Sequence, residues 1–245
     1  MMSFFCMFLC WIAGSYNGGQ QHTVPVLCYH QVRDWAKTDS KSARAYIVPP
    51  ADFRAQIKTL KDSGYHTMLP DELIDFIRQG RRLPGRPVVI TFDDGTESQY
   101  ANALPALEAA GFHAVFFIMT VTLDRPGYMA SGQVRALADK GHVIGCHTWD
   151  HHKVTGYTAH DWHIQLSGPT ATLERITGRK VQYFAYPFGV WDKEAVEQLV
   201  SSGYKGAFRL WGAADTTAPA YTVRRMIVDG HYTGPQLIRE MQARF

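Results

Sequence analysis

The sequence predicts an α/β fold in which parallel strands are joined by helices. Short apolar segments alternate with amphipathic stretches of helical length from about Thr23 to the end of the 245-residue chain. Several apolar segments are continuous, as expected for strands that are buried on both faces of a parallel sheet. Many amphipathic stretches end at a glycine that is soon followed by an apolar segment, which is typical of a helix that leads into the next parallel strand.

The elements follow one another along the chain without an evident linker, so we expect one domain over residues 22–245. The predicted strands are Val24–Tyr29, Tyr65–Thr67, Val88–Phe92, Ala114–Ile118, Val143–Cys146, Tyr183–Tyr186, Gly206–Phe208 and Tyr221–Val228. The predicted helices are Pro50–Ser63, Leu69–Gln79, Tyr100–Ala110, Ser131–Lys140, Ala159–Thr177, Lys193–Ser202 and Gly234–Arg244. The glycines expected to end helices are Gly64, Gly111, Gly141, Gly178 and Gly203.

The first residues of the chain resemble an export signal. The apolar run Phe4–Gly14 is followed by the polar, glycine-rich stretch Ser15–Gln21. The run is too short to span a bilayer, which needs about 20 residues, but it fits the apolar part of a secretory signal, although no Lys or Arg precedes it. We therefore expect a leader over residues 1–21 and an extracytoplasmic location, periplasmic, secreted or at the cell surface. The alternative is a buried or artefactual segment.

Charge and cysteine content exclude some kinds of partner and site. The net charge of +3 is too small to argue for nucleic-acid binding. None of the four cysteines, Cys6, Cys10, Cys28 and Cys146, forms a CxxC pair, which disfavours a zinc ribbon. Cys28 and Cys146 lie in predicted strands, where a free cysteine behaves as a small apolar residue. No second apolar stretch approaches membrane length, and nothing in the sequence indicates an oligomeric state.

Polar side chains follow four of the predicted strands. His30, Asp93–Asp94, His147 and Pro187–Gly189 each come directly after an apolar segment. If the parallel strands close into a barrel, their carboxyl ends meet on one face, where the chemistry of such barrels is found. The sequence therefore predicts one site that contains these groups.

The segment Thr91–Gly95 carries two adjacent carboxylates, Asp93 and Asp94. Two such charges repel each other unless a cation lies beside them, and a divalent metal bound by one carboxylate would leave the other as a base. Gly95 would let the backbone turn sharply after the pair. The alternative is a polar turn, because Asp-Asp-Gly is common in turns.

The segment His147–His152 is rich in imidazoles. His147 and His151 are four residues apart, so they can face the same way on one helical turn and bind one ion. Imidazole and carboxylate ligands together suit zinc or a similar first-row metal. His152 is the alternative ligand if the segment is an irregular loop, and a histidine-rich surface loop without metal is the other interpretation.

Taken together, TFDDG at Thr91–Gly95, HTWDH at His147–His151 and FAYPFG at Phe184–Gly189 resemble the polysaccharide deacetylase family, the NodB homology domain of carbohydrate esterase family 4. The resemblance extends from about Val24 to the C-terminus and implies a distorted (β/α)7 barrel. The opening segment PVLCYH resembles the circularly permuted branch that includes poly-β-1,6-N-acetylglucosamine N-deacetylases, and Val223–Val228 also fits that branch.

The resemblance implies a role for each of these residues. Asp93 would be the general base, and His30 would protonate the leaving amine. The protein ligands of a divalent metal, most simply zinc, with nickel, cobalt or iron as alternatives, would be Asp94, His147 and His151. The backbone N–H of Phe188 would bind the oxyanion.

The chain departs from the family pattern at one position beside the base. Ala185 stands where the family has an arginine that orients the catalytic aspartate. Arg224 or Arg225 could supply that charge from a neighbouring strand, and we favour Arg225. Tyr186 and Trp191 are further candidates for the substrate pocket. Trp191 and Trp211 could stack on sugars or contact the acetyl group, and an ordinary packing role is the alternative for both.

The resemblance implies a metal-dependent hydrolase that removes N-acetyl groups from a GlcNAc-containing polysaccharide, with a poly-β-1,6-GlcNAc-like polymer favoured. The same site could act on peptidoglycan, chitin oligomers or an O-acetyl ester, because the metal ligands do not select the polymer. A catalytically inactive carbohydrate-binding barrel is the alternative from another class. Ala185 favours it, whereas the two carboxylates and the histidines argue against it.

Overall fold

Parallel strands form the inner wall of the protein in the computed structural model, which describes residues 23–80 and 83–245. The predicted leader, with Cys6 and Cys10, lies outside the described residues. The strands are β1 Val26–Tyr29, β2 Gln31–Val32, β3 Ile47–Val48, β4 Tyr65–Thr67, β5 Arg86–Phe92, β6 Val115–Ile118, β7 Val143–Cys146, β8 Tyr183–Ala185, β9 Gly206–Arg209, β10 Val223–Arg224 and β11 Met226–Ile227. The helices are α1 Lys41–Arg44, α2 Pro50–Asp62, α3 Pro70–Gln79, α4 Leu104–Ala110, α5 Ser131–Asp139, α6 Ala159–Trp162, α7 Gly168–Thr177, α8 Lys193–Ser201 and α9 Gly234–Arg244.

The main sheet is nearly closed into a barrel. Its strand order is β10-β9-β8-β7-β6-β5-β1-β11, all pairings are parallel, and β4 pairs with the start of β5. The predicted strand Tyr221–Val228 is bent at Arg225, so that β10 pairs with β9 while β11 pairs with β1. Counted as one bent strand, β10 and β11 close a ring of seven positions, which confirms the expected (β/α)7 barrel in a single domain.

Two apolar clusters show how the wall is packed. Phe117 of β6 and Phe208 of β9 belong to one cluster, and their ring centroids are 5.4 Å apart. Because β7 and β8 separate these strands in the sheet, the two rings meet across the interior of the barrel. Phe116 belongs to the other cluster, which also contains residues of the surrounding helices such as Leu137 and Leu173. Successive residues of a strand thus face opposite sides of the wall.

The helix ends agree with the glycine pattern, but two helices begin differently from the prediction. Gly111 and Gly178 end α4 and α7 in the left-handed conformation, with φ of 69° and 68°. Each of these helices is preceded by a π-helical turn, Gln99–Ala103 before α4 and His163–Ser167 before α7. A proline stands at the second position of both helices, and its missing N–H accounts for the wider turn before it.

The segment between β1 and α2 was not predicted to contain regular structure. It forms β2, α1 and β3, and β2 pairs in parallel with β3. This segment places Tyr46 against His30, with the two ring centroids 5.0 Å apart. In the described part of the chain, none of the helices has the length and apolarity needed to span a bilayer.

Candidate active site

The carboxyl ends of β1, β5 and β7 bring the predicted polar groups together, as their positions in the sequence indicated. His30 follows β1, Asp93 and Asp94 follow β5, and His147 follows β7. The Asp93 backbone N–H donates to the Tyr29 carbonyl at 3.0 Å, which joins the ends of β1 and β5. The site is therefore built on the adjacent strands β1 and β5 and on β7, which is separated from β5 by β6, and backbone pairing along the sheet fixes the positions of the side chains.

Asp94, His147 and His151 form a set of donors suited to one metal ion. Asp94 Oδ1 lies 3.6 Å from His147 Nε2 and 3.7 Å from His151 Nε2. Two donors that bind one zinc ion tetrahedrally are about 3.4 Å apart, given bonds of about 2.1 Å. The three ligand atoms all lie within 4.8 Å of one another. The geometry and chemistry of this set therefore fit a divalent first-row metal.

The electrostatics of the ligands agree with that fit. Burial lowers the pKa of His147 to about 3, so its ring is neutral and its nitrogen lone pair is free to bind a metal. Its Nδ1 lies 2.7 Å from the Ala185 carbonyl, which assigns the proton to Nδ1 and leaves Nε2 directed at Asp94. Burial raises the pKa of Asp94, and the neighbouring Asp93 charge adds to the rise. A cation beside Asp94 would offset both effects.

The histidine segment is an irregular turn, so the prediction of a helical turn was wrong. Thr148 and His151 have positive φ values of 67° and 69°, which a right-handed helix does not contain. The Thr148 hydroxyl accepts from the His151 backbone N–H at 2.9 Å and holds the turn. Asp94 also has a positive φ, of 74°. Two of the three candidate ligands thus occupy a conformation that is costly outside glycine and is concentrated at functional sites.

His152, the alternative ligand, points elsewhere. Its side chain is 71% exposed, and its Nδ1 lies 2.6 Å from Asp150 Oδ1. The Asp150 carboxylate also accepts from Gln165 Nε2 at 2.8 Å. The structure therefore brings His151 and not His152 to Asp94.

Arg225 lies directly against the candidate base. Its Nη1 and Nη2 donate to Asp93 Oδ1 and Oδ2 at 2.6 and 2.7 Å, and both side chains are almost fully buried. Nη1 also donates to the Thr91 hydroxyl at 3.1 Å, which itself donates to the Leu27 carbonyl. Burial alone would raise the pKa of Asp93, but the Arg225 guanidinium holds it well below its ordinary range. The charge expected at Ala185 is thus supplied from the bend between β10 and β11.

His30 lies close to Asp93, together with a cysteine. Ligand atoms of Cys28, His30 and Asp93 lie within 4.8 Å of one another, and Cys28 Sγ donates to Asp93 Oδ2 at 3.5 Å. Gln99 Nε2 donates to the carbonyls of both His30 and Asp93, at 2.7 and 2.5 Å. Sequence reasoning missed Cys28 and Gln99 as site residues. The sequence did contain a signal for Gln99, because a proline stands at the start of the helix that follows it. Such a proline favours a π turn before the helix, and a π turn redirects side chains.

The remaining predicted site residues are Phe188, Trp191 and Tyr186. Phe188 has a φ of 58°, its side chain is 51% exposed, and its ring centroid lies 4.5 Å from that of His151. The turn that contains Phe188 therefore borders the candidate metal ligand His151. Trp191 is partly buried and lines a groove with Trp211.

Tyr186 is not brought to the substrate side of the site. Its side chain is fully buried in the cluster that faces the helices. Its hydroxyl donates to the Tyr221 carbonyl at 3.0 Å, and its backbone N–H donates to the Phe208 carbonyl at 3.0 Å. Its hydroxyl and its backbone N–H thus both bond within the protein, and the structure does not bring the Tyr186 side chain to the other predicted site residues.

Comparison with known proteins shows the family of the chain. The sequence profile described as polysaccharide deacetylase matches residues 80–207, which is more than half of the chain. The chain belongs to the polysaccharide deacetylase family. It is thus a deacetylase enzyme of carbohydrate esterase family 4. Over 212 residues it is 26% identical to the YxkH protein of Bacillus subtilis (strain 168), an alignment that covers 86% of this chain and 73% of that protein.

A second relative is named for its substrate. The poly-β-1,6-N-acetyl-D-glucosamine N-deacetylase of Escherichia coli (strain K12) is 24% identical over 245 aligned positions. That alignment covers 82% of this chain but only 36% of the Escherichia coli protein.

Solved structures show the same fold. The Streptococcus pyogenes deacetylase PplD, solved in complex with acetate, superimposes with a TM-score of 0.80 at 20% identity, over 89% of this chain and 97% of that one. IcaB from Ammonifex degensii superimposes with a TM-score of 0.74 at 27% identity, over 90% of this chain and 97% of that one. This deacetylase therefore has the same barrel fold as these solved structures.

Proposed function

We propose that this deacetylase hydrolyses N-acetyl groups of a GlcNAc-containing polysaccharide with the help of a divalent metal. The observation that carries the proposal is the set of Asp94, His147 and His151 beside the Asp93–Arg225 pair. One carboxylate faces two neutral imidazoles, and the adjacent carboxylate is held by a guanidinium. The two aspartates therefore have different environments and can perform different tasks.

The metal would be held by Asp94 Oδ1, His147 Nε2 and His151 Nε2, and zinc suits this mixture of nitrogen and oxygen donors best. Nickel, cobalt and iron are compatible with the same donors. When bound, such an ion supplies an acidified water and polarises the acetyl carbonyl.

The residues of the chain perform the proton transfers. Arg225 keeps Asp93 ionised and fixes its orientation, so Asp93 is in the form that accepts a proton from the attacking water. His30 lies close to Asp93 and protonates the amine as it leaves, which an amide requires because its nitrogen is a poor leaving group. The Phe188 backbone N–H, in the turn that borders His151, stabilises the negative oxygen of the tetrahedral intermediate.

A poly-β-1,6-GlcNAc-like polymer is the favoured substrate. The support is the YH segment at Tyr29–His30, which places the proposed acid directly after β1, and the similarity to the Escherichia coli enzyme that is named for this polymer. This chain spans about a third of that enzyme, so the activity of the whole relative is carried over here as a proposal.

The proposal is tested by acetate release from N-acetylated oligomers of matched length. The arms are β-1,6-linked GlcNAc, chitin oligomers, peptidoglycan glycan strands and an O-acetylated sugar, each with the metal-free protein and with added zinc, cobalt or nickel. We expect zinc-dependent release that is fastest from the β-1,6-linked oligomer. Faster release from another arm would overturn the polymer assignment, and glycan binding without acetate release from any arm would support an inactive barrel.

We also propose that the enzyme acts outside the cytoplasm, where such polymers lie. The support is the apolar segment Phe4–Gly14, which fits a secretory signal. A reporter enzyme that is active only after export, fused behind residue 21, should be active. An inactive reporter, with fusion protein retained in the cytoplasm, would contradict export.

A further inference from the structure

A pocket lined by arginines lies at the seam where the barrel closes. Its volume is about 280 Å³, and its walls include four arginines and one exposed tryptophan. The arginines come from the end of β9, from both sides of the bend between β10 and β11, and from the end of α9. They are Arg209, Arg224, Arg225 and Arg244.

Two of these guanidinium groups are already neutralised. Arg225 is paired with Asp93, and Arg244 Nη2 lies 2.9 Å from Glu240 Oε2. The other two, Arg209 and Arg224, form no salt bridge with a carboxylate of the described residues. The residues outside the described ranges include no Asp or Glu. The pocket therefore carries two positive charges that the described protein leaves without an anion.

Arg209 is held in place by the backbone. Its Nε donates to the Thr222 carbonyl at 2.8 Å, and its Nη1 donates to the carbonyls of Gly212 and Trp211 at 2.6 and 3.4 Å. The residue is only 5% exposed. A buried guanidinium that donates only to neutral carbonyls has lost its hydration and has gained no opposite charge in return. The nearby Arg224 charge adds repulsion, so an anion in the pocket would be stabilised by both groups.

The pocket is connected to the active site through Trp211. The Trp211 backbone N–H donates to the Gly189 carbonyl at 3.4 Å, and Gly189 directly follows Phe188 in the turn that borders the metal ligands. The Trp211 side chain is 62% exposed and also lines the groove that contains Trp191. An exposed indole on a backbone held from both sides suits stacking against a sugar ring.

We infer that the arginine pocket binds a carboxylate or phosphate group carried by the glycan chain, with an adjoining sugar stacked on Trp211. Guanidinium groups recognise both anions through paired, charge-assisted hydrogen bonds. The inference rests on the proposed function, because the glycan bound in the pocket is taken to be part of the same polymer that is deacetylated at the active site. It adds that the enzyme prefers an N-acetylated glycan with acidic substituents to a neutral one.

The test compares two GlcNAc oligomers of equal length, one neutral and one with a carboxylate on alternate sugars. The full chain with bound zinc is used, and KM for acetate release is measured. If neither oligomer releases acetate, the proposed function fails, but the dissociation constants measured by calorimetry still test the pocket. We expect the acidic oligomer to bind about tenfold more tightly than the neutral one, as a pair of charge-assisted hydrogen bonds implies.

Matched variants locate the effect. Arg224→Gln should reduce the tenfold preference, and Arg224→Gln combined with Arg209→Gln should reduce it to near unity, without changing affinity for the neutral oligomer. Arg239→Gln, an exposed arginine of α9 outside the pocket, should preserve the preference. Trp211→Ala should weaken binding of both oligomers. Equal affinities in the wild type, or a preference unchanged in the double variant, would overturn the inference. Inorganic phosphate that binds as tightly as the acidic oligomer would overturn its glycan part, because the pocket would then recognise a free anion.

Discussion

Arg225 binds both carboxylate oxygens of Asp93, although the two residues are 132 positions apart in the chain. The pair joins the end of β5 to the bend between β10 and β11, so the residue that closes the barrel also orients the candidate base. Ala185, which stands where the family has this arginine, is fully buried in β8. The enzyme thus keeps the guanidinium at its base but supplies it from a different strand.

Replacing Arg225 should damage stability as well as activity. Arg225→Gln would leave the Asp93 charge buried without its partner, which costs about 3–5 kcal/mol of the free energy of unfolding. Adding Asp93→Asn to that variant should recover part of the loss, because no charge then remains buried. Denaturant unfolding of the single and double variants measures both, with Arg224→Gln as the exposed neighbouring control. A cost below about 1 kcal/mol for Arg225→Gln would show that the pair is not needed for the fold.

His151 and His152 provide a matched pair for the metal site. Because His151 Nε2 faces Asp94 while His152 Nδ1 faces Asp150, only His151→Asn should lower the amount of zinc bound. Loss of one of three protein ligands should weaken zinc affinity by at least about tenfold. The measurement is zinc per chain by mass spectrometry after dialysis at controlled free zinc. If His152→Asn lost the metal and His151→Asn retained it, the ligand assignment would be wrong.

The role of His30 predicts a dependence on the leaving group. His30→Asn should lower kcat for an N-acetylated sugar by about 10²- to 10⁴-fold, the usual contribution of an acid or base catalyst. An activated aryl acetate has a leaving group that needs no proton, so its hydrolysis should be affected far less. Zinc content should remain unchanged, because His30 is not among the three ligands. Equal losses for the two substrates would contradict a role in protonating the amine.

His142 predicts a loss of stability in mild acid. Its buried Nδ1 accepts from the Ala114 backbone N–H at 3.1 Å, and burial, with the His113 charge, lowers its pKa from 6.5 to about 4. Because the folded pKa is depressed, the unfolded chain binds a proton first, and stability falls as the pH drops from about 6.5 towards 4. The expected loss by pH 4.5 is about 2–3 kcal/mol.

Asparagine at position 142 can accept the same hydrogen bond without titrating. The free energy of unfolding of His142→Asn should therefore lose this part of its pH dependence, while the exposed His160→Asn should behave as the wild type. Identical pH profiles for His142→Asn and the wild type would show that His142 is not the group responsible.

Much of the barrel could be predicted because its strands and helices carry local signals. Continuous apolar runs marked the buried strands, and glycines such as Gly111 and Gly178 marked helix ends. The bend at Arg225 was not predictable from Tyr221–Val228, because it depends on pairing with β9 on one side and β1 on the other. The π turns were missed because they continue the periodicity of the helices that follow them.

Site residues that directly follow a strand could be predicted from the sequence. Site residues whose role depends on contacts between distant parts of the chain were harder to predict. Asp93, Asp94, His147 and His30 could be placed from their positions after apolar segments. The choice between His151 and His152 depended on the positive φ values of Thr148 and His151, which local propensity does not favour. The sequence pattern predicted that Cys28 is a core residue. Its position beside Asp93 follows from the pairing of β1 with β5, which the sequence alone does not show.

The central claim is that Asp94 holds a metal while Asp93 accepts the proton. The most direct measurement is acetate release by Asp93→Asn, with zinc content determined on the same sample. We expect zinc bound as in the wild type, together with acetate release reduced by about 10²-fold or more. Wild-type protein stripped of metal should be equally inactive until zinc is restored. Full activity of the metal-stripped protein, or of Asp93→Asn, would contradict the central claim.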